Sequence, residues 1–263
     1  MSPVPAPETF LSGEHGEVGG RRGALRRLGD RALDRSLKLT GALKRIDALD
    51  TPRRDVLVAG VYRHPNAPPQ PPSERHDVRL AVGEMEPGVG KFERLNTLIG
   101  DARADWLVVI DDDVELPPHF LDRFVAICEQ ERFDLAQPAQ TLASHAAWRL
   151  VRRRPFSTAR QSPFVEIGPV TAFSRRAQDA LVPFPPLRYG WGLDLHWAAL
   201  APERGWRLGI VDALPVRHER SPVATAYGHG EAIEEARSFL SGRPFVRAAQ
   251  AQETLVTHRK VRP

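Results

Sequence analysis

The feature that most constrains this chain is a short apolar run that ends in three consecutive carboxylates. Trp106–Ile110 is rich in β-branched residues and shows no alternation with polar residues, which is typical of a strand buried on both faces of a sheet. The acids Asp111, Asp112 and Asp113 follow at once, and the pair Pro117-Pro118 then suits the first turn of a helix. Because ligands of open α/β sheets bind at the carboxyl ends of the strands, we expect these acids at a ligand-binding edge.

Three adjacent carboxylates repel one another unless a positive charge neutralises them. A hard divalent cation, which prefers oxygen ligands, is the simplest candidate. The alternative is a solvated acidic loop that follows a core strand. The strand directly before the triplet and the prolines directly after it favour the ligand-binding interpretation.

Length and composition limit the alternatives. The 263 residues permit one large α/β domain or two small ones, and the net charge of +4 fits an anionic substrate, a nucleic acid or an acidic membrane surface. The single cysteine, Cys128, excludes an internal disulfide and is compatible with a reducing compartment. No apolar run approaches the roughly 20 residues that span a bilayer, and the N-terminus lacks an apolar signal core. We therefore expect a cytoplasmic protein, with membrane association as a further option.

The chain divides into four parts. Residues 1–20 read as a disordered tail, because they are rich in Pro, Gly and Glu and lack periodicity. Residues 21–50 predict one basic amphipathic helix, with its apolar positions near one face over 21–49. This helix either binds a membrane surface or a partner, or packs on the domain with a solvated basic face, and we favour the packed helix. Residues 51–245 are the predicted catalytic domain, and 246–263 are a C-terminal tail.

Strands and helices alternate along the domain, which favours a mostly parallel sheet covered on both faces. The predicted strands are 55–62, 78–83, 106–110, 133–137, 164–168, 170–173 and 207–212. The predicted helices are 92–99, the helix after Pro118, 145–154, 175–181, 193–200 and 231–240. Proline- and glycine-rich residues predict loops at 63–76 and 219–230.

Four motifs follow one another in a recognisable order. They are Gly90-Lys91 with Arg94-Leu95-Asn96, Val109–Asp113 with Pro117–Leu121, Gly168–Arg176, and Gly190–Leu195 with Gly205 and His218 downstream. Together they resemble the nucleotide-diphospho-sugar transferase (GT-A) superfamily, and most closely the family 2-like glycosyltransferases. The resemblance covers roughly residues 54–240. It implies an α/β GT-A (Rossmann-like) fold, three α/β/α layers around a mostly parallel central sheet.

The resemblance also implies a metal site. Asp113 matches the direct metal ligand of the family's DxD motif, whereas Asp111 would hold the ribose, or the metal through a water. Asp112 occupies the variable middle position and is expected to be a solvated acid. His218 would be a third protein ligand that completes the site with Asp113 and the diphosphate, although a single histidine after a strand is more often structural. Mn²⁺ or Mg²⁺ would act as a Lewis acid on the diphosphate leaving group.

Asp194 is the candidate general base, because an attacking hydroxyl must lose its proton and a positioned carboxylate can accept it. Trp191 could stack on a sugar face, and Gly192 leaves room for the acceptor. The alternative is an acid that only complements the helix dipole. The acidic pair usual in the family is here Leu193-Asp194, with a single acid.

Several basic and polar residues are candidates for substrate binding. Lys91, Arg94 and Asn96 match the helix start near the nucleotide, although the two cations could equally form a solvated helix face. The run Arg152–Arg154 is expected to be a solvated or acceptor-facing patch, and we expect no nucleic-acid site there.

The leading hypothesis is a metal-dependent glycosyltransferase (a hexosyl or related transferase). It would transfer a sugar from a nucleotide-diphosphate-sugar to a saccharide or other hydroxyl acceptor, with inversion as family 2 implies. One alternative is a haloacid-dehalogenase-like phosphohydrolase with Asp111 as nucleophile, although that family needs Thr or Val where this chain has Glu115. Another is a non-catalytic basic protein that binds nucleic acid or membrane through 21–49 and 152–154.

Overall fold

The computed structural model describes residues 20–63, 72–218 and 229–260. The predicted disordered tail, except Gly20, and most of the two predicted loops lie outside these residues. The strands are β1 (Asp55–Tyr62), β2 (Asp77–Glu84), β3 (Trp106–Ile110), β4 (Leu135–Gln140), β5 (Ala159–Ser162), β6 (Val170–Ser174), β7 (Leu208–Val216) and β8 (Val256–His258). The helices are α1 (Gly20–Leu39), α2 (Ala42–Asp47), α3 (Lys91–Ile99), α4 (Phe120–Glu131), α5 (Arg175–Leu181), α6 (Leu193–Arg204), α7 (His229–Leu240) and α8 (Ala248–Ala251).

The strands of the described residues form one eight-stranded sheet in the order β2-β1-β3-β6-β4-β7-β5-β8. Strands β1, β2 and β3 are parallel, as are β4 and β7. Strand β6 lies antiparallel between β3 and β4, and β5 lies antiparallel between β7 and β8. Six strands therefore run in one direction and two in the other, which confirms the predicted mostly parallel sheet.

Both faces of the sheet are buried, because successive side chains of its strands point to opposite sides. Leu57 and Leu107 belong to a core that includes residues of α3, α6 and α7. Val56 and Val108 belong to a second core that includes residues of α2 and α4. The predicted three-layer α/β/α architecture is therefore confirmed, and the unbroken apolar run of β3 is explained by burial on both sides.

The N-terminal segment differs from the single predicted helix. It forms α1 and α2, which are separated at Thr40-Gly41, where Gly41 has a positive φ of 65°. α1 packs on the domain through Asp30, whose side chain is buried. No helix in the described part of the chain is both long enough and apolar enough to cross a membrane.

The C-terminal segment also differs from the predicted tail. Residues 248–251 form α8, and β8 pairs with β5 at the outer edge of the sheet. The sheet therefore extends beyond residue 245. Short segments such as β8 carry little periodicity of their own, and tertiary pairing decides their conformation.

Two predicted elements are absent from the described structure. The expected helix over 145–154 is reduced to a three-residue 3₁₀ helix, Arg149–Val151. The guanidinium of Arg152 donates to the carbonyls of Thr141, Leu142 and Ser144, in the loop before the expected helix. The expected strand over 164–168 is irregular because the backbone N–H of Glu166 donates to the Gln137 side chain instead of a neighbouring strand.

One buried ion pair yields a stability prediction. Arg160 and Asp212 are fully buried, and Nε and Nη2 of the arginine donate to the two carboxylate oxygens at 2.8 and 3.0 Å. Arg160→Ala should lower the free energy of unfolding by about 3–5 kcal/mol, because it leaves a buried carboxylate without its cation. Urea denaturation measures this change.

The matched control is Arg175→Ala, which removes the exposed pair with Asp179. That substitution should cost less than about 1 kcal/mol. Equal losses in the two variants would contradict the assignment of the buried pair as a major stabilising contact.

Candidate functional site

The acidic triplet lies at the carboxyl end of β3, between β1 and β6. The backbone N–H of Asp111 donates to the carbonyl of Pro169 at 3.0 Å, which ties the triplet to the start of β6. A Cβ on Gly168 would approach Oδ2 of Asp111 to 3.2 Å, so this position has little room for a side chain. The Asp111 carboxylate accepts a hydrogen bond of 2.6 Å from Nζ of Lys91, at the start of α3. The structure thus brings two of the predicted substrate-binding residues into contact.

Asp113 and His218 also meet. Nε2 of His218 lies 3.1 Å from Oδ1 of Asp113, and both side chains are largely buried. The strand β7 returns His218 to this edge, since Arg217 forms a backbone bridge with Glu115 directly after the triplet. Burial alone would raise the pKa of Asp113, but the hydrogen bond and charge of His218 and the charge of Arg63 lower this pKa to about 2. The carboxylate is therefore ionised at neutral pH.

Asp112 was expected to be a solvated acid, and the structure corrects this. Its side chain is only 10% exposed and lies against Arg63, which follows β1. Oδ2 accepts the backbone N–H of Arg63 at 2.7 Å and Oδ1 lies 3.2 Å from its guanidinium. The middle acid therefore fixes the end of β1, which sequence spacing could not show.

Asp194 occupies the first turn of α6, after a glycine that begins the helix. Gly192 has a φ of 90°, a conformation that side chains disfavour, and a Cβ there would lie 3.2 Å from Leu240. Burial raises the pKa of Asp194 to about 7, against the opposing effect of backbone hydrogen bonds that include those from Leu195 and Ile167. A carboxyl of this pKa can exchange a proton near neutral pH.

Trp191 lies beside this helix start and is mostly buried. Its ring centroid is 5.8 Å from that of His229 on α7. Its neighbour Gly190 has a φ of 79°, and a Cβ there would overlap the ring of Phe92. The tight packing fixes the turn before α6 on α3, and the stacking role of Trp191 stays a prediction.

Asn96, a predicted substrate-binding residue, contacts a loop through its side-chain amide. Its amide nitrogen donates to the carbonyl of Phe184 and its amide oxygen accepts the Phe184 N–H, both at 2.7 Å. Both ends of the side chain are thus used to hold a loop. Arg94 forms an ion pair of 2.8 Å with Glu86 and donates to the carbonyl of Glu84, so it too is engaged within its own region.

The arginine run is not a solvated patch. Arg153 is buried and pairs with Asp34 at 2.7 Å, whereas Arg152 is partly buried against loop carbonyls. Only Arg154 of the three is exposed. A basic triplet in sequence cannot distinguish these cases, because the acids that neutralise it lie more than 100 residues away in α1.

Glu166 is a site residue that the sequence reasoning missed. It is buried, and one carboxylate oxygen accepts from Nε2 of Gln140 at 3.0 Å. Burial, together with the nearby charges of Asp194 and Asp111, raises its pKa well above the usual range. The available signal was a single acid in the apolar run Phe164–Ile167, since such an acid must either be exposed or find a polar partner.

The oxygen and imidazole donors of Asp113 and His218 suit Mn²⁺, and carboxylate oxygen suits Mg²⁺. No cluster of three or more His, Cys, Asp or Glu side chains arranged to hold a metal occurs within residues 20–63, 72–218 and 229–260. A cation there would thus complete its coordination with oxygens from outside these protein groups. The phosphates of a nucleotide are chemically suited to this.

Comparisons with known proteins bear on the same segment. Residues 74–179, less than half of the chain, match the family model described as glycosyl transferase family 2. No curated protein matches the sequence. The matched segment contains the triplet and β6, ends within α5, and so stops before Asp194 and His218.

Solved structures that resemble the chain have low sequence identity. GalNAc-T7, solved with UDP, GalNAc and Mn²⁺, is 15% identical over 63% of this chain and 43% of its own, with a TM-score of 0.41. TarS 1-349 of S. aureus, in complex with UDP-GlcNAc, is 9% identical over 64% and 57%, with a TM-score of 0.39. The mannosyltransferase PcManGT of Pyrobaculum calidifontis, with GDP-Man and Mn²⁺, is 16% identical over 79% and 69%, with a TM-score of 0.38.

The chain thus spans 43% and 57% of the first two of these proteins. The family match agrees with the predicted resemblance over the first three of the four motifs, and the fourth lies outside it. Residues 74–179, which carry the acidic triplet, are similar to glycosyl transferase family 2.

Proposed function

We propose that the protein is a metal-dependent glycosyltransferase that moves a sugar from a nucleotide-diphosphate-sugar to an acceptor hydroxyl. The observation that carries this proposal is the contact of 3.1 Å between Asp113 and His218 at the edge where the family segment places its acids. The two residues lie far apart in the sequence, and one lies outside the family segment. Their meeting is therefore a property of the fold and supports a shared ligand.

Asp113 and His218 are the residues that would hold Mn²⁺ or Mg²⁺. When bound, the cation supplies Lewis-acid stabilisation of the charge that develops on the leaving diphosphate. Because Asp113 is ionised and Nε2 of His218 lies beside its carboxylate, the pair offers a carboxylate oxygen and an imidazole nitrogen as ligand atoms. Asp111 and its partner Lys91 lie beside them and would contact the donor, the carboxylate at the ribose and the ammonium at a phosphate oxygen.

Asp194 is the proposed general base. Its carboxylate is held by backbone N–H groups at the start of α6 and has a pKa raised to about 7, so it can accept the proton of an attacking hydroxyl. Trp191, directly before α6, is the proposed stacking surface for a sugar. Direct displacement with inversion is what membership of family 2 suggests.

The exposed face of α1 supports the proposal of a further partner, an anionic lipid surface. Leu25, Leu28 and Leu39 are 69%, 57% and 78% exposed. Exposed cations flank them, namely Arg21, Arg27, Arg31, Arg35 and Lys38. The two acids of α1, Asp30 and Asp34, both contact Arg153 on the domain side. The exposed face of α1 thus carries leucines flanked by cations, and its two acids contact the domain. Such a helix suits an anionic membrane surface.

Metal-dependent nucleotide binding is the first test. Calorimetry with UDP-, GDP- and dTDP-sugars, with and without Mn²⁺, should find at least one sugar nucleotide whose binding requires the metal. Asp113→Asn and His218→Ala should abolish this metal-dependent binding, because each deletes one of the two protein ligands of the metal. The exposed variant Asp179→Asn is the control. If every sugar nucleotide binds the wild-type protein equally well with and without Mn²⁺, the proposed metal site is wrong.

The pH dependence of transfer tests Asp194. Because the carboxylate is the active form, kcat/KM should rise with pH through the Asp194 pKa of about 7 and level off above it. Asp194→Asn should reduce transfer by about 10²–10⁴-fold while donor affinity stays unchanged. A variant with full transfer and the same pH profile would show that another group is the base.

Membrane contact is tested by vesicle co-sedimentation. The protein should bind vesicles that contain phosphatidylserine, less so at high salt, and should not bind pure phosphatidylcholine. The double variant Leu25→Ser/Leu28→Ser should weaken binding by about tenfold or more, since each leucine contributes on the order of 1.5–3 kcal/mol when fully buried. Leu80→Ser, an exposed leucine on β2, is the control. Equal binding by the two variants would contradict the assignment of this face.

A further inference from the structure

On the side that faces the domain, α1 contacts a loop through the carboxylate of Asp30. Asp30 is only 4% exposed although it is an acid. Its Oδ1 accepts the backbone N–H of Leu142 at 2.9 Å and its Oδ2 accepts that of Ala143 at 3.0 Å. Asp30 therefore satisfies two successive amides of the segment 141–145, which we call the 141–145 loop.

Arg152 also holds this loop, through hydrogen bonds to its carbonyl groups. Its Nη1 donates to the carbonyls of Thr141, Leu142 and Ser144 at 3.2, 2.7 and 3.0 Å. A Cβ on Gly29, the residue before Asp30, would lie 3.0 Å from Cδ1 of Leu142. The helix backbone is thus in close contact with the loop, and the loop has its amides and carbonyls fixed from two sides.

The 141–145 loop in turn holds the backbone of His218. The hydroxyl oxygen of Ser144 accepts the N–H of His218 at 3.0 Å, and the N–H of His145 donates to the His218 carbonyl at 3.0 Å. The N–H of Thr141 donates to the carbonyl of Val216 at 3.0 Å. The described structure therefore shows a continuous set of hydrogen bonds from Asp30 through the loop to the residue whose side chain faces Asp113.

We propose that Asp30 is a positioning residue for His218 and so sets the metal affinity of the site from a helix outside the family 2 segment. The proposal rests on the proposed function, because it takes His218 as a metal ligand. Without the Asp30 carboxylate, the buried amide of Ala143 and the part-buried amide of Leu142 lose their acceptors, and the loop must rearrange to satisfy them. The loop carries both hydrogen bonds to the His218 backbone, so its movement displaces the imidazole from Asp113.

The test compares two acids on the same helix. Asp30→Asn keeps one acceptor oxygen and loses the charge, and Asp30→Ala loses both oxygens. Asp34→Asn is the matched control, since Asp34 pairs with Arg153 but bonds no amide of the loop in the described structure. Mn²⁺ binding is measured with the full chain, by electron paramagnetic resonance of the unbound ion, with Mn²⁺ alone and with Mn²⁺ plus UDP.

Asp30→Ala should weaken Mn²⁺ binding by about 10–100-fold, Asp30→Asn by less, and Asp34→Asn should bind as the wild type does. Urea denaturation without metal records the stability of each variant. A role confined to stability would lower the unfolding free energy and leave the Mn²⁺ affinity of the folded protein unchanged, which would overturn the proposal. If Asp30→Ala fails to fold, Asp30→Asn decides, and equal affinity in Asp30→Asn and Asp34→Asn overturns the proposal.

His218→Ala separates this result from the function on which it rests. If His218→Ala binds Mn²⁺ as tightly as the wild type, the proposed metal site is wrong, whatever the Asp30 variants show. If His218→Ala loses binding while both Asp30 variants keep it, the metal site stands and the positioning role fails.

Discussion

The repulsion among three consecutive carboxylates is the constraint on which this site depends. The fold places basic side chains from three different parts of the chain against the acids, and Arg63 lies 3.4 Å from Asp113 as well as 3.2 Å from Asp112. Lys91 of α3 contacts Asp111, Arg63 after β1 contacts Asp112, and His218 after β7 contacts Asp113. Three segments that are distant in the sequence therefore contact the triplet at the end of β3. In a mostly parallel sheet these segments end at the same edge, so that the charges can be compensated there.

The three contacts are not equivalent. Arg63 contacts the middle acid through its backbone as well as its side chain, so it serves the structure whether or not a ligand is bound. The contacts of Asp111 and Asp113 are side-chain contacts, and both can be exchanged for contacts to a phosphate or a cation. This difference in the partner atoms supports the proposed division of the triplet into one structural and two ligand-facing acids.

Much of the fold could be predicted from the sequence because its strongest signals are local. The unbroken run Trp106–Ile110 had to be a buried strand, and the alternation of strands with helices determined the layered architecture. Weak or misleading local signals account for the differences between the predicted and the observed structure. Arg152 and Asn96 looked like surface or ligand-binding residues, but each satisfies backbone groups of a loop, which lies 8 to 11 residues away for Arg152 and 88 residues away for Asn96. Glu166 and Asp30 are buried acids, and the spacing of residues in the sequence likewise does not identify their partners.

The strand β8 has a consequence that concerns the solution behaviour of the protein. It pairs with β5, whose other neighbour is β7, and so covers an edge that would otherwise expose unpaired backbone donors and acceptors. An open edge of this kind is a template for pairing with other chains. β8 is then the edge strand itself, and its three residues offer few unpaired backbone groups to another chain. Any shortened form of the protein that begins and ends with the family segment would need a substitute for this cover.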